Sequence, residues 1–250
     1  MGATGVGIDN ILGYAFTDAL LIYFTLSKSR YMSLNPKIMK IDAQSIKDII
    51  AIGIPSSITN FAQSFGMGLL NSSLAIYGAD KVAAMGITQK IYSIVILVIV
   101  GFAFGAQPLI GFNYGAKNWA RLKKIIDFDM LVQVIYAVIF GDLLIIFSRQ
   151  VTAIFMNQAA IVDAGSYMLI ACVITTPLVG IVLVYTIVFQ SIGNAWAAFI
   201  MAISRQGVIY FLALIILEKI IGYHGIVWAQ AVSDTLTCLI GYFIYEHSLR

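Results

Sequence analysis

The stretch GAQPLIGFNYGAK, residues 105–117, closes a long apolar segment and stops at a lysine. Three glycines, a proline, a glutamine and an asparagine stand where a lipid-facing helix carries Leu, Ile and Val. Gly101 and Gly105 are four apart, as are Gly111 and Gly115. Small residues at that spacing let helices approach closely. Pro108 removes a backbone hydrogen bond one turn beyond Gly105. Gln107 and Asn113 carry amides that satisfy freed backbone groups or face a cavity. The stretch therefore reads as a helix end built to bend and to pack tightly, not to float in lipid.

The chain around it is strongly apolar. Of 250 residues, 60% are hydrophobic and 11% charged, against about 25% charged in soluble domains. This composition is that of a membrane protein. MGATGVGIDN has no basic residues before its apolar run, so no signal peptide is expected. Cys172 and Cys238 lie within apolar segments and read as packed thiols, with neither a disulfide framework nor a metal site.

A bilayer-crossing helix needs about 20 apolar residues. Seven segments qualify, at 4–26, 48–76, 86–113, 128–148, 164–190, 198–218 and 223–245, and no strand-like alternation suggests a barrel. The expected fold is all-α and integral to the membrane. Basic residues set its orientation. Eleven of the fifteen fall on one side: five between spans 1 and 2, Lys117, Arg121, Lys123 and Lys124 between spans 3 and 4, and Arg205 and Arg250. The positive-inside rule places this side, and the C-terminus, in the cytoplasm of a multi-pass cell-membrane protein. Met1 then lies outside, followed at once by Gly2, Gly5 and Gly7, which reads like a loop entering a helix in mid-protein. A truncated chain is the expectation, with a complete seven-helix protein as the alternative. The polar loop 27–46 is either a surface-lying basic-aromatic segment or a plain solvated linker.

Polar residues within spans mark function or helix contacts. Pro55 bends the second span. Beyond it Ser56, Asn60, Gln63, Ser64, Met67 and Asn71 fall within one 100° wedge of a helix. That wedge is either a wall of a substrate pathway or a row of interhelical hydrogen bonds. In the fifth span Pro177 repeats the bend, and Tyr185 and Gln190 offer hydrogen bonds. Tyr185 reads equally as an interfacial aromatic. Asp18, Asp142 and Asp234 are acids within apolar runs. Each is either a proton or cation site or a structural acid held by a neighbouring helix; Asp234, the deepest, is the first choice for cation coupling. His224 and His247 read as interfacial. The absence of HExxH, CxxC, Walker and Gly-x-Ser-x-Gly patterns disfavours an enzyme and ATP-driven chemistry.

Several pieces in order carry a family resemblance. GAQPLIGFNYGAK with Asn118, Trp119, Ala120 and Arg121 resembles the second-lobe signature of multidrug and toxic compound extrusion (MATE) transporters. IGIPSSITNFAQS resembles the start of that family's seventh helix, and GADKVAAMGI the outer loop that follows. FQSIGNAW and SRQG resemble the tenth-to-eleventh helix region, GIVWAQAVSD the twelfth helix, and MGATGVGIDNILGYA the entry to the sixth. The resemblance covers essentially the whole chain. It implies a twelve-helix fold in two six-helix lobes that export cationic amphipathic drugs in exchange for H+ or Na+ by alternating access. This chain then supplies the last helix of the first lobe (1–26), the inter-lobe linker (27–46) and the second lobe (47–250). The missing N-terminal lobe and membrane lipid are the other partners; no cofactor and no nucleic acid is expected. Some members carry an acid eight residues after the proline of the seventh helix. Gln63 occupies that position here, so the coupling acid is expected in the missing lobe. The resemblance makes Asn60, Gln63, Met67 and Tyr185 the substrate-binding candidates. It makes Pro55, Gln107, Pro108 and Pro177 the bends and signature. A lipid-linked saccharide flippase would need a basic cavity, and every inner-side basic residue is expected in a loop or at a span end. The last alternative is a seven-helix membrane protein without transport activity.

Overall fold

The computed structural model describes residues 2–28 and 42–248, with side chains left out at some positions of the first helix and of residues 45–56. The linker expected at 27–46 therefore lies mostly outside the described residues. The chain forms two compact units, Met1–Ala51 and Ile52–Arg250. The first holds α1 (Gly2–Lys28), whose side chains, including Ile11, Leu12, Tyr14 and Phe16, are largely exposed, and the start of α2 (Ala43–Ala75).

The second unit is a helical bundle. It contains the rest of α2, then α3 (Ala79–Gly115), α4 (Trp119–Ile146), the short α5 (Ser148–Phe155), α6 (Ala159–Val173), α7 (Thr176–Ser191), α8 (Ala195–Ile203), α9 (Ile209–Ile221) and α10 (Tyr223–Ser248). Among the described residues there is no strand. All seven predicted segments are helical. Among the described residues four helical stretches are long and apolar enough to cross a membrane: α3, α4, the run Ala195–Ile221 and α10. The bent pair α6–α7 makes a fifth. The second predicted segment is helical along its length, but its Ser, Asn and Gln residues hold it below that threshold.

The segment predicted as one span at 164–190 is two helices meeting at 43°. Pro177 sits in the first turn of α7, where a missing N–H costs nothing, so the chain turns just before it, at Ile174 and Thr175. A second break interrupts the run from α8 to α9. Ser204–Val208 is a π-turn, and inside it Gly207 leaves helical geometry at φ −119°, ψ −105°. Breaks of this kind gather at functional sites.

The opening stretch forms the last three turns of α3 and a tight turn into α4. Ala116 N–H donates to Phe112 O, Lys117 N–H to Tyr114 O and Asn118 N–H to Asn113 O. Lys117 takes a left-handed conformation at φ 55°, and the Asn118 side chain then caps α4 by accepting from Arg121 N–H at 3.2 Å. The turn from α7 to α8 repeats this pattern 76 residues later: Ile192 to Val188, Gly193 to Gln190 and Asn194 to Phe189. Gly193 is left-handed at φ 77°, and Asn194 caps α8 through Ala197 N–H. Gln107 Nε2 donates to Gln190 Oε1 at 3.3 Å and Ser191 Oγ to Gln107 O at 3.3 Å, so the body of α3 is tied to the end of α7.

Candidate functional site

A cavity of about 460 Å³ opens among α2, α3, α6, α7, α10 and the π-turn. On α2 the lining residues are Thr59, Gln63, Met67 and Leu70, which recur at helical spacing on one face. Gly66 lets that face close on the neighbouring run, because a Cβ there would stand 3.3 Å from the Tyr210 ring. From α3 come Met85, Gln89 and Tyr92, and from the π-turn Arg205 and Gln206. Gln230 reaches in from α10, and Cys172 and Thr186 from the bent pair. Glutamine amides, methionines and tyrosines are thus brought to one space. Thioethers and aromatic faces adapt to varied apolar shapes, while amides orient polar atoms without fixing a charge.

One wall is held by a buried ion pair. Arg205 Nε donates to Asp234 Oδ1 at 2.9 Å, with the arginine side chain 13% exposed and the aspartate 0%. Gln230 Nε2 donates to the same oxygen at 3.0 Å, and Thr175 Oγ1 donates to Oδ2 at 3.1 Å. Ser233 Oγ donates to Arg205 O at 2.9 Å. Asp234 does not line the cavity; it stands behind Arg205 and Gln230, which do. A charge taken out of water needs a partner and further hydrogen bonds, and this carboxylate has both. The expectation that every inner-side basic residue lies in a loop or at a span end is corrected here. Arg205 stands in the π-turn midway along the apolar helical stretch Ala195–Ile221, where Asp234 on the facing α10 neutralises it.

The structure brings two of the four proposed binding residues to the cavity, Gln63 and Met67. Asn60 is exposed, one turn before Gln63 and turned off the lining face. Tyr185 is 6% exposed and does not line the cavity; it packs with Phe189, Ala197 and Met201, of which Met201 borders the cavity, and its ring is 4.9 Å from that of Tyr245. The polar wedge of α2 and its cavity face overlap only at Gln63 and Met67. Pro55 lies in α2 with its side chain outside the description. Pro108 is inside α3 and exposed, and Gln107 ties α3 to α7. Tyr92, Arg205, Gln206 and Gln230 were not singled out as site residues from the sequence. The cue for Arg205 and Gln230 was Asp234 itself, since an acid in an apolar helix requires a donor on a facing one. Asp18 and Asp142 are exposed. Among the described residues no group of three or more His, Cys, Asp or Glu side chains is placed to hold a metal. Cys172 and Cys238 are both free.

The MatE family model matches residues 55–215. Two proteins named multidrug export protein MepA are similar along nearly the whole chain. That of Staphylococcus aureus is 30% identical over 249 residues, 99% of this chain and 53% of its own length. That of Staphylococcus saprophyticus is 31% identical over 251 residues, with the same coverage of 99% and 53%. The chain spans about half the length of the curated relatives it matches. Among solved structures, a complex of the MATE multidrug transporter DinF-BH superposes with TM-score 0.83 at 26% identity, covering 99% of this chain and 56% of that one. An outward-facing multidrug resistance MATE family transporter gives 0.81 at 21% identity, covering 94% and 54%; at that identity the likeness is one of fold.

Proposed function

We propose, from the premise that this chain belongs to the MatE family, that it is part of a multidrug efflux transporter and supplies the second lobe with the helix that precedes it. Coverage of about half of each relative supports the lobe assignment. The observation that carries the substrate class is the lining of the 460 Å³ cavity, where Gln63, Met67, Tyr92 and Gln206 meet without an unpaired charge. Such a wall suits varied amphipathic cations held by dispersion and ring faces rather than by one fixed salt bridge. Energy comes from an inward gradient of H+ or Na+. The acid of this lobe nearest the cavity, Asp234, is already paired with Arg205, so the coupling carboxylate belongs to the other lobe. The basic loops place the C-terminus in the cytoplasm.

Gln63→Ala in cells expressing the whole transporter tests the reading. The expected result is an altered resistance profile across several cationic dyes. An unchanged profile removes Gln63 from the site. The flippase reading gains a basic residue at the cavity in Arg205, but that charge is neutralised by Asp234, so it offers a pyrophosphate no free cation. Enzymatic chemistry has no support in a wall of amides and thioethers.

A further inference from the structure

A second concavity lies on another face of the bundle, between α3 and α4. It is a groove of about 790 Å³. Its walls are apolar, with Phe102 51% and Phe128 67% exposed. Gly101 and Gly105 keep it open: a Cβ at either would meet nothing within 4 Å. This puts the GxxxG pair to a use other than helix packing. At the end of the groove near the α3–α4 turn stand Arg121 and Lys124, both exposed and both without an ion pair to any described carboxylate. One further lining residue is out of keeping with the apolar wall. Asp129 is 4% exposed and its Oδ2 has no hydrogen-bond partner among the described residues. It lies about 7.5 Å along α4 from Lys124, at about 1.5 Å per residue.

We propose that this groove is a binding site for an anionic phospholipid. Three features line up along one molecule. The phosphate meets Arg121 and Lys124, at the end of the bundle where basic loops face anionic headgroups. The glycerol ester region falls at the depth of Asp129, whose Oδ2, when protonated, donates to an ester carbonyl there. The acyl chains run over Gly101, Gly105 and Phe102. A soluble anion has no use for the apolar wall, and a lipophilic cation is disfavoured by two arginine and lysine charges at the mouth. The site is separate from the cavity proposed for drugs and does not depend on that proposal.

The test is native mass spectrometry of the purified chain titrated with dioleoylphosphatidylglycerol or dioleoylphosphatidylcholine. The expected result is about tenfold stronger retention of the anionic lipid, abolished in Arg121→Ala/Lys124→Ala. Gly105→Phe, which fills the groove, weakens both lipids. Asp129→Asn retains the preference, because an amide N–H donates to an ester carbonyl as the protonated carboxyl does, whereas Asp129→Leu weakens it. Equal retention of both lipids by the parent chain overturns the proposal, as does a preference that survives in the double variant. Displacement by inorganic phosphate alone reduces the site to a phosphate contact and also overturns it. So does retention of tetraphenylphosphonium that is lost in Asp129→Asn, which makes the groove a cation site. In case the variants fold poorly, the parent chain is cross-linked with a photoactivatable phosphatidylglycerol. Adducts on residues 98–109 and 121–132 support the site, and adducts spread evenly over the helices refute it.

Discussion

Asp234 accepts hydrogen bonds from three side chains and is fully buried, so removing any charge from its pair leaves the other stranded. Arg205→Met is expected to cost about 3–5 kcal/mol. Arg205→Met combined with Asp234→Leu should cost less than the single change, since two apolar side chains replace a desolvated pair. Thermal unfolding in detergent, followed as the monodisperse fraction, ranks the variants. A double variant less stable than the single one means that the two residues do not act as a pair. The sequence pointed to Asp234 because a carboxylate among apolar residues is costly. It hid Arg205, because an arginine seven positions into the span expected at 198–218 counts equally as a span-end charge, and only the facing of α10 and the π-turn shows the guanidinium its partner. Asn60 and Tyr185 do not line this cavity, for a related reason. Polarity along one helix tells which residues need partners, not which side of the helix the cavity takes.

At the scale of elements, the two matching turns make a controlled comparison. One places a lysine in the left-handed region and the other a glycine. A side chain there costs about 1–2 kcal/mol in local sterics, partly offset by the greater freedom glycine loses on folding. Lys117→Gly is therefore expected to raise stability by up to about 1 kcal/mol, and Gly193→Ala to lower it by about 1 kcal/mol. Asn118→Ala removes the cap of α4 and costs about 1 kcal/mol. Melting midpoints of the three variants check the order; a Gly193→Ala chain as stable as the parent would contradict the backbone argument. Element existence was legible from apolar runs, and boundaries were not. The start of α4 was expected at 128 but lies at Trp119, because Arg121, Lys123, Lys124 and Asp127 interrupt the apolar run while the cap still sets the helix. The eight residues of α5 are too short and too mixed to register as a span.

For the whole molecule, the native cysteines report on the cavity. Cys172 lines it, and Cys238 packs instead against the cluster that holds Tyr185. A lipophilic cationic dye in the cavity should slow further, severalfold, the slow modification of the buried Cys172 by N-ethylmaleimide in a Cys238→Ala background. It should leave Cys238 unaffected in a Cys172→Ala background. Equal protection of both thiols would signal general tightening of the bundle, and protection of neither would place the dye elsewhere. Modification in detergent, read by mass spectrometry, separates these outcomes.

The two interruptions of the bundle end on the same carboxylate. Thr175 stands at the α6–α7 bend and Arg205 in the π-turn, and both donate to Asp234 of α10. Neither broken helix can straighten without letting go of a group that also fastens the other. The joints that look like places to flex are thus keyed together like two teeth on one pin. A displacement at either joint is therefore felt at the other, through a single carboxylate.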